Sequence, residues 1–532
     1  MRGLVALVAL SVASRAARVI TDCDVVVVGG NLGGVAAALG AADSGPSLQI
    51  CYTDITDWPG GQATAGGTSA IDFGATSADF PKNLPLSLGY ILSHGAFGNG
   101  DENLGGCSVS IKCFLPEKFV EACLDAFSKR PNLRLYLNTV ITSSARDARS
   151  GRFTSLTATQ RTPAPGTAGY ERLQSEALPD WYSATDSAFF TKEQLTFSLN
   201  SKAVVIEASE FGDVLVTSGV RVAQGVETPL ENSTAYDQGC GQSTTVVFWT
   251  SYGKEPAPRP DPTPLGGDSG FPFRVENATD LTHSYVWRRN VAADPADRFS
   301  TRPGDTSMIN QGNDANLPPP ILLPLAAARA QAAAGAWAGG VNLTALALAE
   351  QRAYGYYWLL WNSTARYLPT AAPFIFFNRT AAGTATGLSK MPYLREARRG
   401  QFGVQGFRLC KAPMAVGGES DPGCWLPPTG EAPGPGGGEP PYRKAASTIA
   451  NGSSYFGYKW QDTVAIGQYD FDIHRMNCSF PPYLDDYYHP AAHYYLPFRA
   501  LTSWDSPNLL LAGKNLAQTF YANAATRLHP EE

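Results

Sequence analysis

Apolar residues near the start of the chain come in unbroken runs rather than in alternation. Asp24 to Val28 (DVVVV) is a β-branched run of the kind that forms a parallel strand buried on both faces. A glycine-rich turn, Gly29-Gly30-Asn31-Leu32-Gly33-Gly34, follows. Val35 to Ala42 is then a stretch of small helix formers, and Ser44-Gly45-Pro46 predicts its end. Leu48 to Tyr52 predicts a second strand that closes at Asp54, completing one βαβ unit. Near the other end, Asn508 to Ala512 is a further buried strand pattern, followed by Gly513. Between them, Thr344 to Trp361 places Leu346, Ala349, Ala353, Tyr357, Leu360 and Trp361 at three-and-four spacing, which predicts a helix with its aromatics in a core.

Two loop-rich stretches, 254–272 and 430–441, frame this middle region and suggest an insertion. The organisation expected is a removable leader at 1–17, a nucleotide-binding domain over 22–250 and 451–532, and an inserted substrate or cap domain over 251–450. The leader reading rests on Arg2, the apolar run Leu4 to Ala13, and the small residues Ala13, Ser14 and Ala17. Beyond it no apolar run approaches the roughly 20 residues needed to cross a bilayer. Seven Asn-x-Ser/Thr sequons, at Asn232, Asn277, Asn342, Asn362, Asn378, Asn451 and Asn477, fit a glycoprotein of the secretory lumen or a secreted one. Nine cysteines allow local bridges such as Cys107–Cys113 or Cys410–Cys424, and the odd number leaves one unpaired within the chain. With 41 basic against 47 acidic residues and no run of like charge, a nucleic-acid partner is not expected.

The glycine turn carries the first chemistry. A pyrophosphate approaches backbone N–H groups at a helix N-terminus only where side chains stay out of the way, and the helix dipole then favours the anion. In strict register the motif is Gly29-x-Asn31-x-x-Gly34. Asn31 replaces the middle glycine and is a residue that tolerates left-handed backbone. Asp54 stands 20 positions after Gly34, the spacing at which a dinucleotide fold presents a carboxylate to ribose hydroxyls.

Thr56-Asp57-Trp58-Pro59-Gly60-Gly61-Gln62-Ala63-Thr64, continuing through Ser69 to Gly74, resembles the segment after the second strand in FAD-dependent oxidoreductases with a glutathione-reductase-type fold. Leu137 to Val140 resembles the strand that meets adenine in that family. Ala203 to Asp213 resembles its hydrophobic strand and following turn, with Ser209-Glu210 departing from the usual Thr-Gly. Asp462 to Arg475, Tyr495 to Leu501 and Asn508 to Pro530 resemble its C-terminal blocks. The resemblance implies an α/β chain: a Rossmann-like FAD-binding domain with a parallel central sheet and a large inserted substrate or cap domain. It implies FAD contacts at Gly29, Gly30, Asn31, Gly34, Asp54, Gly60, Gly61, Gln62, Val140, Ala208, Gly513 and Arg527. In that family a glycine- and alanine-rich helix continues beyond the position of Glu532, so the chain is either truncated there or manages without that helix.

The activity implied is hydride transfer from a small organic substrate to flavin N5. The alternative is a non-catalytic secreted glycoprotein with a degenerate FAD fold, to which Asn31 and Ser209 point. His474 is the first candidate for a polar contact near flavin or substrate, or else a structural histidine. Arg499 is the second candidate, binding an anionic substrate group or pairing with a carboxylate. His529 lies beside the implied flavin edge. Asp485, Asp486, His489 and His493 form a rival metal constellation, but Pro490 breaks the helical spacing that would put both histidines on one face, and no metal is expected.

Overall fold

The computed structural model describes residues 17–72, 86–93, 105–228, 234–258, 275, 277–310, 320–411, 414, 459–474, 487–489, 491 and 493–532. Most of the expected leader, residues 259–272 of the first framing loop, the whole of the second, Asp485, Asp486 and three of the sequons (Asn232, Asn451 and Asn477) lie outside these residues.

The first part of the chain runs as strand β1 (Arg18–Ile20), β2 (Val25–Val28), helix α1 (Leu32–Ser44), β3 (Ile50–Thr53), α2 (Leu86–Ser93), α3 (Pro116–Ser128) and β4 (Leu133–Tyr136). It continues with β5 (Thr139–Arg146), β6 (Phe153–Pro163), α4 (Gln174–Tyr182), β7 (Phe190–Ser198), β8 (Val204–Glu207) and the short α5 (Asp213–Thr217). The organising layer is a six-stranded sheet in the order 502–503, 506–511, β8, β2, β3, β4. Its strands are parallel except for the pairing of Thr502–Ser503 with Ser506–Leu511. The DVVVV run is its middle strand: Val26 stands opposite Cys51 on one side and Val205 on the other.

Burial on both faces explains the unbroken pattern. Val27, Ile50 and Tyr52 pack with Val35, Leu39, Phe119 and Phe127 of α1 and α3. Val26, Val28 and Leu511 pack with Ile141, Leu156 and Phe197 of a second sheet, whose order is β1-β7-β6-β5. Each fully buried aliphatic side chain contributes about 1.5–3 kcal/mol. A disulfide, Cys23–Cys51, ties the entry of β2 to β3, and Cys107–Cys113 closes a shorter loop. Cys240 and Cys410 are disulfide-bonded as well, whereas Cys123 is a buried free thiol. Cys424, the expected partner of Cys410, lies outside the described residues.

The middle of the chain builds a four-stranded antiparallel sheet from 248–252, 289–291, 306–309 and 375–377. A boundary at 250/251 therefore falls inside the strand Phe248–Tyr252, which pairs with 306–309 and 375–377 and bridges to Leu388. The helix expected over 344–361 runs from Leu343 to Tyr367, with Asn342 as its N-cap. Its buried face carries Leu346, Ala349, Ala353, Tyr356 and Leu360, so the aromatic run is largely core.

Candidate functional site

The site is built where parallel strands end. Asn31 is not left-handed. Its backbone is extended (φ −113°, ψ 172°), and it caps α1, its Oδ1 accepting from the Gly34 N–H at 3.1 Å. Its chemistry is therefore that of an N-cap, worth about 1 kcal/mol to the helix. The turn is held from both sides: Asn31 N–H donates to Ala208 at the end of β8, and its Nδ2 donates to Asn515 Oδ1. A Cβ on Gly33 would stand 2.5 Å from the Gly513 nitrogen, and one on Gly61 would stand 2.5 Å from Asn31 Cα. Gly61 has φ 55° in addition. Glycine is thus required where three chain segments converge on the start of α1.

An anion already stands on that helix end. The Leu32 N–H donates to Glu532 Oε2 at 3.2 Å, and Lys514 Nζ lies 3.5 Å from the other oxygen. Lys514 also donates to both oxygens of Glu210 (2.9 and 3.2 Å) and to the Leu394 carbonyl. All three side chains are almost wholly buried. Burial pushes the Glu532 carboxyl up to about 7 against the pull of Lys514. The departure at Glu210 from the Thr-Gly pattern thus has a partner that spacing alone does not reveal.

Along β3, Gly29 abuts Tyr52, and Asp54 is buried. Its carboxylate accepts from the Tyr52 hydroxyl (2.6 Å) and the Thr56 N–H (3.0 Å), and burial raises it to about 7. Asn138, with φ 53°, turns the chain from β4 into β5, whose Thr139 N–H reaches the Asp54 carbonyl. Val140 lies in this strand with its side chain in the core beside Ile55 and Trp181.

Beyond Gly61 the chain runs alongside Arg527 to Glu531. Gln62 Nε2 donates to the Arg527 carbonyl (2.9 Å), His529 Nε2–H donates to the Thr68 carbonyl (2.8 Å), and His529 Nδ1 accepts from the Asp72 N–H (3.4 Å). Burial holds His529 neutral, down to about 3. The Arg527 guanidinium is fully buried and donates to the Tyr393 hydroxyl and to Asp472 Oδ2 (3.0 Å). Asp472 in turn accepts from His474 Nε2 at 2.9 Å. Burial would raise Asp472, but His474 and Arg527 outweigh it and hold the carboxyl well below its usual range. His474 is lowered by burial first and then by Arg395. It is therefore a neutral imidazole with Nε2–H on a carboxylate and its Nδ1 lone pair carrying no hydrogen bond, the tautomer required of a general base.

Buried polar atoms without partners gather on this stretch: Gln62 Oε1, Thr68 Oγ1, Arg288 Nε and Nη1, Asn290 Oδ1, Arg527 Nε and Glu531 Oε2. Such groups cost about 1–3 kcal/mol each unless a ligand or water fills them. Together with a helix end that already holds a carboxylate, this set of donors and acceptors suits a dinucleotide: phosphates at α1 and a polar ring along Gln62 to Thr68.

Of the residues expected to contact FAD, the structure brings Gly29, Gly30, Asn31, Gly34, Ala208, Gly513, Gly61 and Gln62 to one place, with Gly60 opening the tight turn before Gly61 and Arg527 following. Asp54 sits at the end of β3 with its carboxylate turned to Tyr52 and Thr56. Arg499 is not brought to His474: it forms a two-point ion pair with Asp462 (2.9 and 2.8 Å) and stacks near Phe407 and Trp460. Sequence reasoning missed Lys514, Glu210, Asp472, Tyr393, Arg288 and Asn290. Only Asp472 had a local signal, two positions before His474. Among the described residues no group of three or more His, Cys, Asp or Glu side chains is placed to hold a metal. No described helix is long and apolar enough to cross a membrane.

A family model described as FAD dependent oxidoreductase matches residues 24–168 and 444–532. No curated protein matches the sequence. Solved structures similar to the chain include p-nitrophenol 4-monooxygenase PnpA from Pseudomonas putida DLL-E4, at 12% identity over 44% of this chain and 48% of that one (TM-score 0.21). L-proline dehydrogenase from P. horikoshii is 12% identical over 36% of this chain and 23% of that one (TM-score 0.17). The flavin-dependent monooxygenase PieE, solved with FAD and substrate, is 14% identical over 44% and 35% (TM-score 0.22). The chain spans about half the length of the monooxygenase it matches, and likenesses this distant carry no argument about the reaction. The two matched blocks enclose the α1 turn, the Gln62–Asp72 segment, the Asp472–His474 pair and Arg527, and they support FAD as the cofactor of this chain.

Proposed function

We propose that the chain oxidises a small organic molecule by hydride transfer to FAD, in a fold of the glutathione-reductase type with 251–450 as an inserted substrate or cap domain. The observation that carries this reading is the Asp472–His474 pair, a neutral imidazole oriented by a carboxylate beside a buried arginine. The Leu32 N–H and Lys514 would hold the cofactor's phosphates in place of the Glu532 carboxylate, and Gln62 and Arg527 would meet its ring. When bound, FAD supplies the two-electron acceptor, taking hydride at N5. The chain's own part is to hold the substrate and to take its proton: His474 Nδ1 accepts the O–H or N–H proton as the C–H electron pair leaves, and Asp472 stabilises the imidazolium formed. The substrate is thereby oxidised by two electrons.

The disulfides support a secreted or luminal location, since such bridges persist in oxidising compartments. Asn277, Asn342 and Asn378 are helix N-caps, with Asn277 and Asn342 exposed enough to carry a glycan. The test is the visible spectrum of the purified chain, then anaerobic bleaching by a panel of alcohols, amines and hydroxy acids. A yellow protein that bleaches with one of them, and does so far more slowly as His474→Ala, is the expected result. A folded chain that stays colourless in excess FAD would point to the non-catalytic alternative.

A further inference from the structure

At the opposite end of the central sheet from α1, three segments border an open hollow of about 580 Å³, a size that suits a small molecule. They are the turn 147–151 between β5 and β6, the C-terminal end of α5, and the turn at Trp504–Asp505. Asp505 immediately precedes the strand Ser506–Leu511, whose far end leads to Gly513 beside α1. At about 3.3 Å per residue, that strand sets the hollow roughly 20 Å from the α1 turn. None of the residues assigned above to FAD, and not His474, lines it.

Arg146, Arg149 and Arg221 all line the hollow. Asp505 holds two of them as neighbours. Arg146 Nε donates to the Ser218 carbonyl (3.2 Å) and its Nη1 to the Asp505 carbonyl (3.1 Å). Arg221 donates to the Asp505 carboxylate from its backbone N–H (2.7 Å), its Nε (2.8 Å) and its Nη2 (2.8 Å). Each guanidinium is thereby fixed while one nitrogen, Arg146 Nη2 or Arg221 Nη1, carries no hydrogen bond among the described residues. Arg149 stands exposed on the turn and forms no ion pair among them. The two carboxylates at the hollow are already committed. Asp505 belongs to Arg221, and Asp147 accepts from the Ser150 N–H (2.7 Å) and hydroxyl (2.6 Å), which hold it below its usual range. Three cations against two engaged anions leave the hollow positive, with donors to spare.

Trp504 adds a flat face. Its backbone N–H is fixed on the Phe402 carbonyl (3.0 Å), yet the residue keeps 42% exposure, with the Arg221 guanidinium 5.9 Å from its ring centre. A ring can rest on such an indole. Around it, Ser150, Ser218, Asp147 and Asp505 supply hydroxyl and carboxylate partners. That lining suits a ring with one apolar face and a rim of hydroxyls. A tetrahedral ester presents three free oxygens to three separate guanidinium groups, whereas a carboxylate presents two in one plane.

We propose that this hollow binds a small phosphate or sulfate ester carried on a sugar ring, with the anion on Arg146, Arg149 and Arg221 and the ring against Trp504. Such a site needs no flavin chemistry. It would make the chain a receptor for an anionic sugar at one end of a strand whose other end meets the cofactor turn.

Calorimetric titration of the full chain, saturated with FAD, with glucose 6-phosphate, glucose 6-sulfate, inorganic phosphate and glucose tests this. One or both esters should bind, inorganic phosphate about tenfold more weakly and glucose not at all, and added salt should weaken each anion. The tighter of the two esters identifies the group. Arg149→Glu, on an exposed turn, should weaken every anion about tenfold or more. Trp504→Ala should cost the ester about tenfold and leave inorganic phosphate unchanged, which separates ring from charge. Arg146→Gln serves as the second variant on the anion, with its thermal midpoint checked against the wild type. If neither ester binds, or if one binds Arg149→Glu and Arg146→Gln as it binds the wild type, the proposal is overturned. An ester that binds no better than inorganic phosphate would overturn the sugar ring's part in it.

Discussion

The two ends of the site solve the problem of buried polarity in opposite ways. At the start of α1 the charges answer one another: Lys514 faces Glu210 and Glu532, and Glu532 in turn takes the Leu32 N–H. From Gln62 to Asp72 the polar groups outnumber their partners, and Arg288, Asn290 and Arg527 keep unfilled atoms. A ligand at the first end must displace an internal carboxylate, and its affinity is a difference between two anions on one donor set. A ligand at the second end fills vacancies, so its affinity comes from bonds the protein does not otherwise make. Low dielectric sharpens both cases, because an unpaired buried group is as costly as a paired one is strong.

This contrast can be broken one residue at a time. The largest effect belongs to the open end: His474→Ala should slow substrate-driven flavin reduction about 10²–10⁴-fold, as removal of a general base does. FAD content should be unchanged, and stopped-flow bleaching checks both. At the closed end, Lys514→Met leaves Glu210 buried without its partner and should cost about 3 kcal/mol or more in denaturant unfolding. Glu210 there can be relieved only by taking up a proton, so the loss should shrink as pH falls. Gly61→Ala lies between the two ends. A left-handed φ costs a side chain about 1–2 kcal/mol, and overlap with Asn31 Cα adds about as much. The expected sum is about 3 kcal/mol, with weaker FAD retention.

The pH dependence is a smaller effect with a definite sign. Asp54 and Glu531 are raised to about 7 and about 8 in the folded chain, from ordinary values of 3.8 and 4.5. Folding therefore favours their protonated forms. That stabilisation is fully present below about pH 4 and is lost as pH rises through 7 to 8, by roughly 1 kcal/mol per unit for each group. The thermal midpoint should fall between pH 5 and 8, and Asp54→Asn should flatten the slope. His529 works in the other direction: held down to about 3, it costs stability as pH drops below 6.5. The smallest effect is expected outside the site. Arg499→Ala removes a part-exposed ion pair with Asp462 and should cost less than about 1 kcal/mol, with no change in the rate of flavin bleaching.

Local pattern determined the frame. A β-branched run, a glycine turn, small helix formers and a second apolar run specify βαβ because strand burial, backbone approach and helix packing each act over a few residues. The result is β2 and β3 within two residues of their expected limits, with α1 beginning three residues before its expected start. The strand 506–511 and the core face of the helix 343–367 were legible for the same reason. What Asn31 does was not. As an isolated residue it reads as tolerant of left-handed backbone, whereas in the structure it is an extended N-cap on the Gly34 N–H, held further by Ala208 and Asn515. Lys514 meets Glu210 across 304 positions, Arg527 meets Asp472 across 55, and Arg288 meets Asp72 across 216. No periodicity encodes those distances in sequence. They are decided when parallel strands bring their C-terminal ends together and the middle region folds its edge strand over them, so the frame could be read from the sequence while the charged constellation required the tertiary structure.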